Sequence, residues 1–259
     1  MAVVRSERSP RPDWRDAEAY AALLGADRSL IAWEWLRRDI AYVHAWEAAG
    51  SAGSDAGAAP FGLVAFEAPD RSVPEARPLW RSDVYSQVLP VVRGCSRDSR
   101  DCCAVKQWRD VATLLSDHDG EHLLVSDGLR TIRLDGEAGL FSGDPICLGY
   151  RLEGLVTAEP RVLVLRRFLA FCRTGRFARS LHPPELRARR WVLMLRAWDA
   201  LSQGAHQREI AEVLLASGLS AGHWRLRQPS LRSEVQRLAR AARAAATGGY
   251  RALLDHRPA

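Results

Sequence analysis

The run from Ser230 to about Thr247 restricts this chain more than any other segment. Ser230 is a good N-cap donor and Gly248-Gly249 a good stop, so the run predicts a helix. At about 100° per residue, Leu231, Val235, Leu238 and Ala242 fall on one side. Arg232, Ser233, Gln236, Arg240 and Arg243 fall on the other, with Arg237 at the margin. One side can lock onto a small apolar core while the other presents guanidinium and amide groups outward.

The segment ahead of it completes a tri-helical pattern. Pro183-Pro184-Glu185 opens a helix running through Trp191, Leu195, Trp198 and Leu201. Gln207 to Leu215 predicts a short helix with Ile210, Val213 and Leu214 on its apolar side, and Ser217–Pro229 an extended connection. This order suits a helix-turn-helix whose last helix enters the major groove of double-stranded DNA. Arginine and glutamine are the side chains that pair with guanine and adenine edges. Arg232, Gln236 and Arg240 are therefore the candidate base readers, with Ser230 and Ser233 beside them. Arg225, Arg227, Arg237 and Arg243 are candidate phosphate contacts, and Gln207 and Arg208 would lie near the DNA backbone. A protein–protein adaptor or anti-activator, whose arginine-bearing helix meets another regulator in place of DNA, is the alternative.

Charge is distributed unevenly. Residues 182–259 carry 13 arginines against six carboxylates, a surplus of +7, while the first 181 residues sum to −1. The whole net charge of +6 thus originates in the C-terminal third, as a polyanion partner requires.

No apolar run approaches the ~18 residues of a membrane span. Met1 to Arg15 has charges and prolines but lacks the apolar stretch of a secretory signal. The expectation is a cytoplasmic protein with no membrane partner. The five cysteines, Cys95, Cys102, Cys103, Cys147 and Cys172, lack a repeating spacing and read as free thiols. Asp117-His118-Asp119-Gly120-Glu121-His122 has metal-ligand residue types, but its spacing from Cys95, Cys102 and Cys103 fits a polar turn better. No metal and no cofactor are expected. There is no nucleophile elbow, phosphate loop or dinucleotide fingerprint, so the chain does not read as an enzyme.

The remaining pattern predicts an α+β protein. Residues 1–12 read as a disordered tail and 13–49 as a helical module, with helices over Asp16–Leu24, Ser29–Arg38 and Ile40–Ala49. Residues 50–60 read as a small-residue linker and 61–157 as a central domain with a mainly antiparallel sheet. Strands are predicted at Phe61–Glu67, Val88–Val92, Leu123–Ser126, Leu129–Leu134 and Ile146–Leu155, the third and fourth joined by an Asp127-Gly128 turn. Ala104–Leu115 looks helical, 158–181 a connecting helix, and 182–259 an all-α helix-turn-helix domain. In the second N-terminal helix Trp33 and Leu36 point one way, Ile31 and Trp35 nearly the opposite way. Such a helix is covered on both sides, by its own chain or by a partner protein, which makes Trp33 and Trp35 candidate interaction residues.

Two blocks carry a family likeness. Gln207-Arg208-Glu209-Ile210-Ala211-Glu212, Trp224-Arg225, Ser230-Leu231-Arg232-Ser233 and Gly248-Gly249-Tyr250-Arg251-Ala252-Leu253-Leu254 resemble an uncharacterised helix-turn-helix domain common in alphaproteobacteria. Asp13-Trp14-Arg15-Asp16, Tyr20, Leu30 and Trp33-Glu34-Trp35-Leu36-Arg37-Arg38-Asp39 resemble the small transcriptional regulator-like domain often fused ahead of it. Together they resemble the Fse-type excision activators of rhizobial integrative and conjugative elements. Ile40 stands where that family is expected to place proline, which would lengthen the preceding helix. The resemblance implies a bacterial activator of excision or transfer genes, meeting RNA polymerase and restrained by a small anti-activator. A homodimer on two DNA half-sites is the expected assembly.

Overall fold

The computed structural model describes residues 11–50, 55–96, 98–143, 145–215 and 229–255. The tail before residue 11, residues 51–54 of the expected linker and most of the Ser217–Pro229 connection lie outside them. The order is a 3-10 stretch Glu18–Gly25, α1 (Arg28–Leu36), α2 (Ile40–Ala49), α3 (Asp55–Ala58), a six-stranded sheet, then α4 to α7. The strands are β1 (Val88–Arg93), β2 (Cys102–Cys103), β3 (Ala112–Ser116), β4 (Glu121–Ser126), β5 (Thr131–Gly136) and β6 (Ile146–Tyr150). The last four helices are α4 (Ala158–Thr174), α5 (Ala188–Ser202), α6 (Gln207–Leu214) and α7 (Pro229–Ala246). This is an α+β fold.

Strand order is β2-β6-β1-β5-β4-β3. Only β1 and β5 run parallel; the other four neighbours are antiparallel. The β4–β5 hairpin turns at Asp127-Gly128 as its chemistry requires. Asp127 Oδ1 accepts the backbone N–H groups of Leu129 and Arg130 at 3.0 and 2.8 Å. Gly128 has φ +96°, and a Cβ there would stand 2.7 Å from the Pro74 carbonyl oxygen, so a side chain is excluded twice over.

Two segments depart from the sequence expectation. Ala104–Leu115 is not a helix: only Val105–Trp108 makes a 3-10 turn, and β3 follows, paired with β4 from Ala112↔Val125 to Ser116↔Glu121. The wholly buried β4 offers a ladder that overrides local preference. Phe61–Glu67 is not a strand, and Leu63 makes a single bridge to Trp80. Ile40 does not lengthen α1. That helix ends at Leu36, and Asp39 starts α2 by accepting the Ala41 N–H at 2.9 Å.

Two large apolar cores and a small one around Val64, Leu79 and Leu124 result. Strands β1, β4 and β5 bury Leu89, Leu123, Ile132 and Leu134 with Val164, Phe168 and Phe171 of α4. The other large core joins the two ends of the chain: Trp14, Leu30, Trp33 and Leu36 pack in one cluster with Leu195, Ile210, Val235, Ala242 and Leu254. Ala58, inside the stretch read as a linker, belongs to that cluster.

Candidate nucleic-acid interface

Helix α7 owes its position to its apolar side. Leu231, Val235, Leu238, Ala239, Ala242 and Ala245 are buried, against α5 and α6, which also pack on one another. Arg232, Ser233, Gln236, Arg237, Arg240 and Arg243 are all exposed. Among the described residues no carboxylate lies within ion-pair distance of Arg232, Arg237, Arg240 or Arg243. Four guanidinium groups and an amide thus occupy one continuous helix face, with hydrogen-bond donors directed at solvent. Burial of Ser230 falls outside the described side chains, as do Arg225 and Arg227 altogether. On α6, Gln207 and Arg208 are exposed at the helix start while Ile210 and Ala211 are buried. Arg208 is partly occupied, its Nε donating to Glu212 at 2.7 Å.

Helix α5, on which α7 packs, is tied to the N-terminal helices by a buried ionic cluster that sequence reasoning missed. Asp199 of α5 is 0% exposed. Its carboxylate accepts Arg38 Nε at 2.8 Å, Arg38 Nη2 at 2.9 Å and the Tyr20 hydroxyl at 2.7 Å. Arg38 Nη1 also donates to Glu34 at 2.5 Å, and Arg37 Nε donates to the same Glu34 oxygen at 2.7 Å. The Val73 N–H fills the other Glu34 oxygen at 2.8 Å. Burial raises the Glu34 carboxyl, but Arg38, Arg37 and that N–H outweigh it and hold the group below its ordinary range. Burial likewise works against the Arg38 charge, and Glu34 with Asp199 reverses the effect and drives its value upward. Desolvation and Asp199 push the Tyr20 hydroxyl up. Arg196 adds a second tie by donating to the Trp14 carbonyl at 2.9 Å. One signal was available: Asp199 lies four residues after Leu195, on the apolar side of an amphipathic helix.

Trp33 and Trp35 do not form the interaction surface expected of them. They are 0% and 2% exposed and are covered by this chain alone. Trp33 Nε1 donates to the Arg71 carbonyl at 2.9 Å, and its ring meets Tyr42 edge-on at 5.6 Å. Burial on both faces is why α1 carries apolar side chains on opposite sides. The cysteines are not all free thiols: Cys102 and Cys147 form a disulfide, because β2 and β6 bring them into register, while Cys95, Cys103 and Cys172 are free. Asp117, His118 and Asp119 hold ligand-type atoms within 4.8 Å of one another. Asp117 is committed to the turn before β4, accepting the N–H groups of Asp119 and Gly120 at 2.8 and 3.1 Å.

Comparison with known families matches two segments of the chain. Residues 155–255 match the family described as "T6SS, Transcription factor, DNA binding domain". Residues 13–65 match the "Proteobacterial transcriptional regulator-like domain". The first match takes in α4 to α7 and the turn after them; the second takes in α1 and α2. No curated protein matches the chain. The two matched domains give the architecture of a transcription regulator and point to a DNA-binding one. Among the described residues no helix is long and apolar enough to cross a membrane.

Proposed function

We propose that this chain is a non-enzymatic, sequence-specific transcriptional regulator of the cytoplasm that reads double-stranded DNA with α7 in a major groove. The observation carrying this is the exposed α7 face, Arg232, Gln236, Arg237, Arg240 and Arg243, within the stretch matching a DNA-binding domain. In this reading Arg232, Gln236 and Arg240 contact base edges, with Ser230 and Ser233 alongside. Arg225, Arg227, Arg237 and Arg243 hold phosphates, and Gln207 and Arg208 steady the backbone at the helix-turn-helix entrance.

Footprinting of Arg232→Ala and Gln236→Ala tests it. Loss of a bidentate base contact costs about 1–3 kcal/mol and relaxes preference at one base pair. Unchanged sequence preference in both variants would remove α7 as the reader. Binding to random duplex should weaken with salt at a log–log slope near −0.9 per phosphate, so roughly −4 to −5 for four to six contacts. A purified protein that binds no duplex at low salt supports the adaptor or anti-activator role instead.

Activation of the excision and transfer genes of a mobile element is the target we assign from the resemblance. The matched family's description names T6SS, so chromatin immunoprecipitation decides between the two gene sets. We expect a homodimer on DNA, which sedimentation with a two-half-site duplex measures. RNA polymerase and a small anti-activator are the protein partners of this reading, meeting the chain away from the buried Trp33 and Trp35.

A further inference from the structure

We propose that a cleft between α1, α5 and the C-terminal end of α7 binds a small aromatic carboxylate. The cleft has a volume of about 210 Å³, and its walls include Trp35, Trp191, Met194 and Tyr250. An engineered apolar cavity of about 150 Å³ accepts benzene, so this space is large enough for a single ring with a carboxylate-sized group. Aromatic walls favour a ring by edge and offset contacts, and the Met194 thioether adapts to its rim.

Charge selects the second half of the ligand. Two guanidinium groups, Arg28 and Arg187, line the cleft. Arg28 is already matched: Nε donates to Glu185 at 2.5 Å and Nη2 to its other oxygen at 3.1 Å, with the guanidinium 5.7 Å from the Trp191 ring centroid. Arg187 is exposed, and among the described residues no carboxylate lies within ion-pair distance of it. One unmatched guanidinium beside an aromatic slot calls for one negative charge, and its planar fork fits a carboxylate bidentately.

The location goes beyond DNA reading. Trp35 belongs to the stretch matching the regulator-like domain, whereas Trp191, Met194 and Tyr250 belong to the stretch matching the DNA-binding domain. Ala245, near the end of the helix that carries the arginine face, and Gly249 just beyond it also line the wall. The cleft therefore lies between the two matched segments, beside the end of α7.

Ligand-observed NMR titration of the full chain with benzoate tests the site without any DNA, so its outcome is separate from that of the DNA-reading proposal. Benzoate should bind saturably. Benzamide, equal in shape but uncharged, should bind about ten-fold more weakly, the worth of a charge-assisted hydrogen bond. Arg187→Ala should weaken benzoate by a similar factor of about ten with the melting temperature unchanged, because its side chain is at the surface. Met194→Trp should fill the slot and abolish binding. Absence of saturable benzoate binding, equal affinity for benzamide, or benzoate binding undiminished in Arg187→Ala would each overturn the proposal.

Discussion

Helices α1 and α7 contribute to the same apolar core but stand differently within it. In α1, every residue from Ser29 to Leu36 is buried, including Glu34. In α7 only the Leu231, Val235, Leu238, Ala242 side is buried, together with Ala239 and Ala245, and the arginine face is open. Both helices are Arg-bearing or Arg-flanked, so charge alone does not separate them. What separates them is whether each guanidinium has a carboxylate. Arg37 and Arg38, just beyond α1, are committed to Glu34 and Asp199. Four α7 arginines have no such neighbour among the described residues. An arginine fixed by a buried carboxylate is architecture; one left in solvent is available to a polyanion.

The largest effects should come from the α1 side of this comparison. Asp199→Ala leaves Arg38 buried without one of its two carboxylate partners and should cost about 3–5 kcal/mol. Trp33→Ala should cost a similar ~3–5 kcal/mol through the cavity it opens. Urea denaturation measures both, and a Trp33→Ala protein of wild-type stability would return that ring to a surface role. On α7 the pattern should invert. The double variant Arg232→Ala, Gln236→Ala should keep its denaturation midpoint within ~0.5 kcal/mol while losing base-pair preference. A large drop in stability would show that this face is structural after all.

Acid should discriminate the two helices next. Glu34 has a folded-state value below its unfolded one, so it contributes stability above the ordinary glutamate range near ~4.3. That contribution is lost as pH falls through the depressed folded value, where the carboxylate protonates. Acid denaturation of Glu34→Gln should therefore show a shallower dependence on pH below ~4.3 than wild type. An identical acid limb in both proteins would mean that Glu34 does not anchor α1. The smallest effect belongs to single phosphate contacts. Arg243→Ala should reduce the salt slope of DNA binding by about 0.9 and weaken all duplexes alike. A selective loss at one base pair would instead move Arg243 among the base readers.

Local period and turn chemistry were sufficient for much of the architecture. The predicted α2 range, Ile40–Ala49, is the observed one, and α7 spans Pro229–Ala246 where Ser230 to about Thr247 was expected. Both faces of α7 were legible, because helical spacing needs only residues three and four apart. Asp127-Gly128 placed its turn for a similarly local reason, a positive φ that glycine alone takes at no steric cost. Tertiary structure decided the rest. Ala112–Ser116 became β3 because β4 was present to pair with it. The two apolar faces of α1 were equally consistent with a partner protein until residues from both ends of the chain covered them. Asp199 acquired its meaning from Arg38, 161 residues away, and Cys102 found Cys147 only through the order of the sheet. Side-chain direction along one helix is set by backbone geometry between near neighbours. The identity of whatever lies opposite is set by packing across the whole fold, which no local window contains.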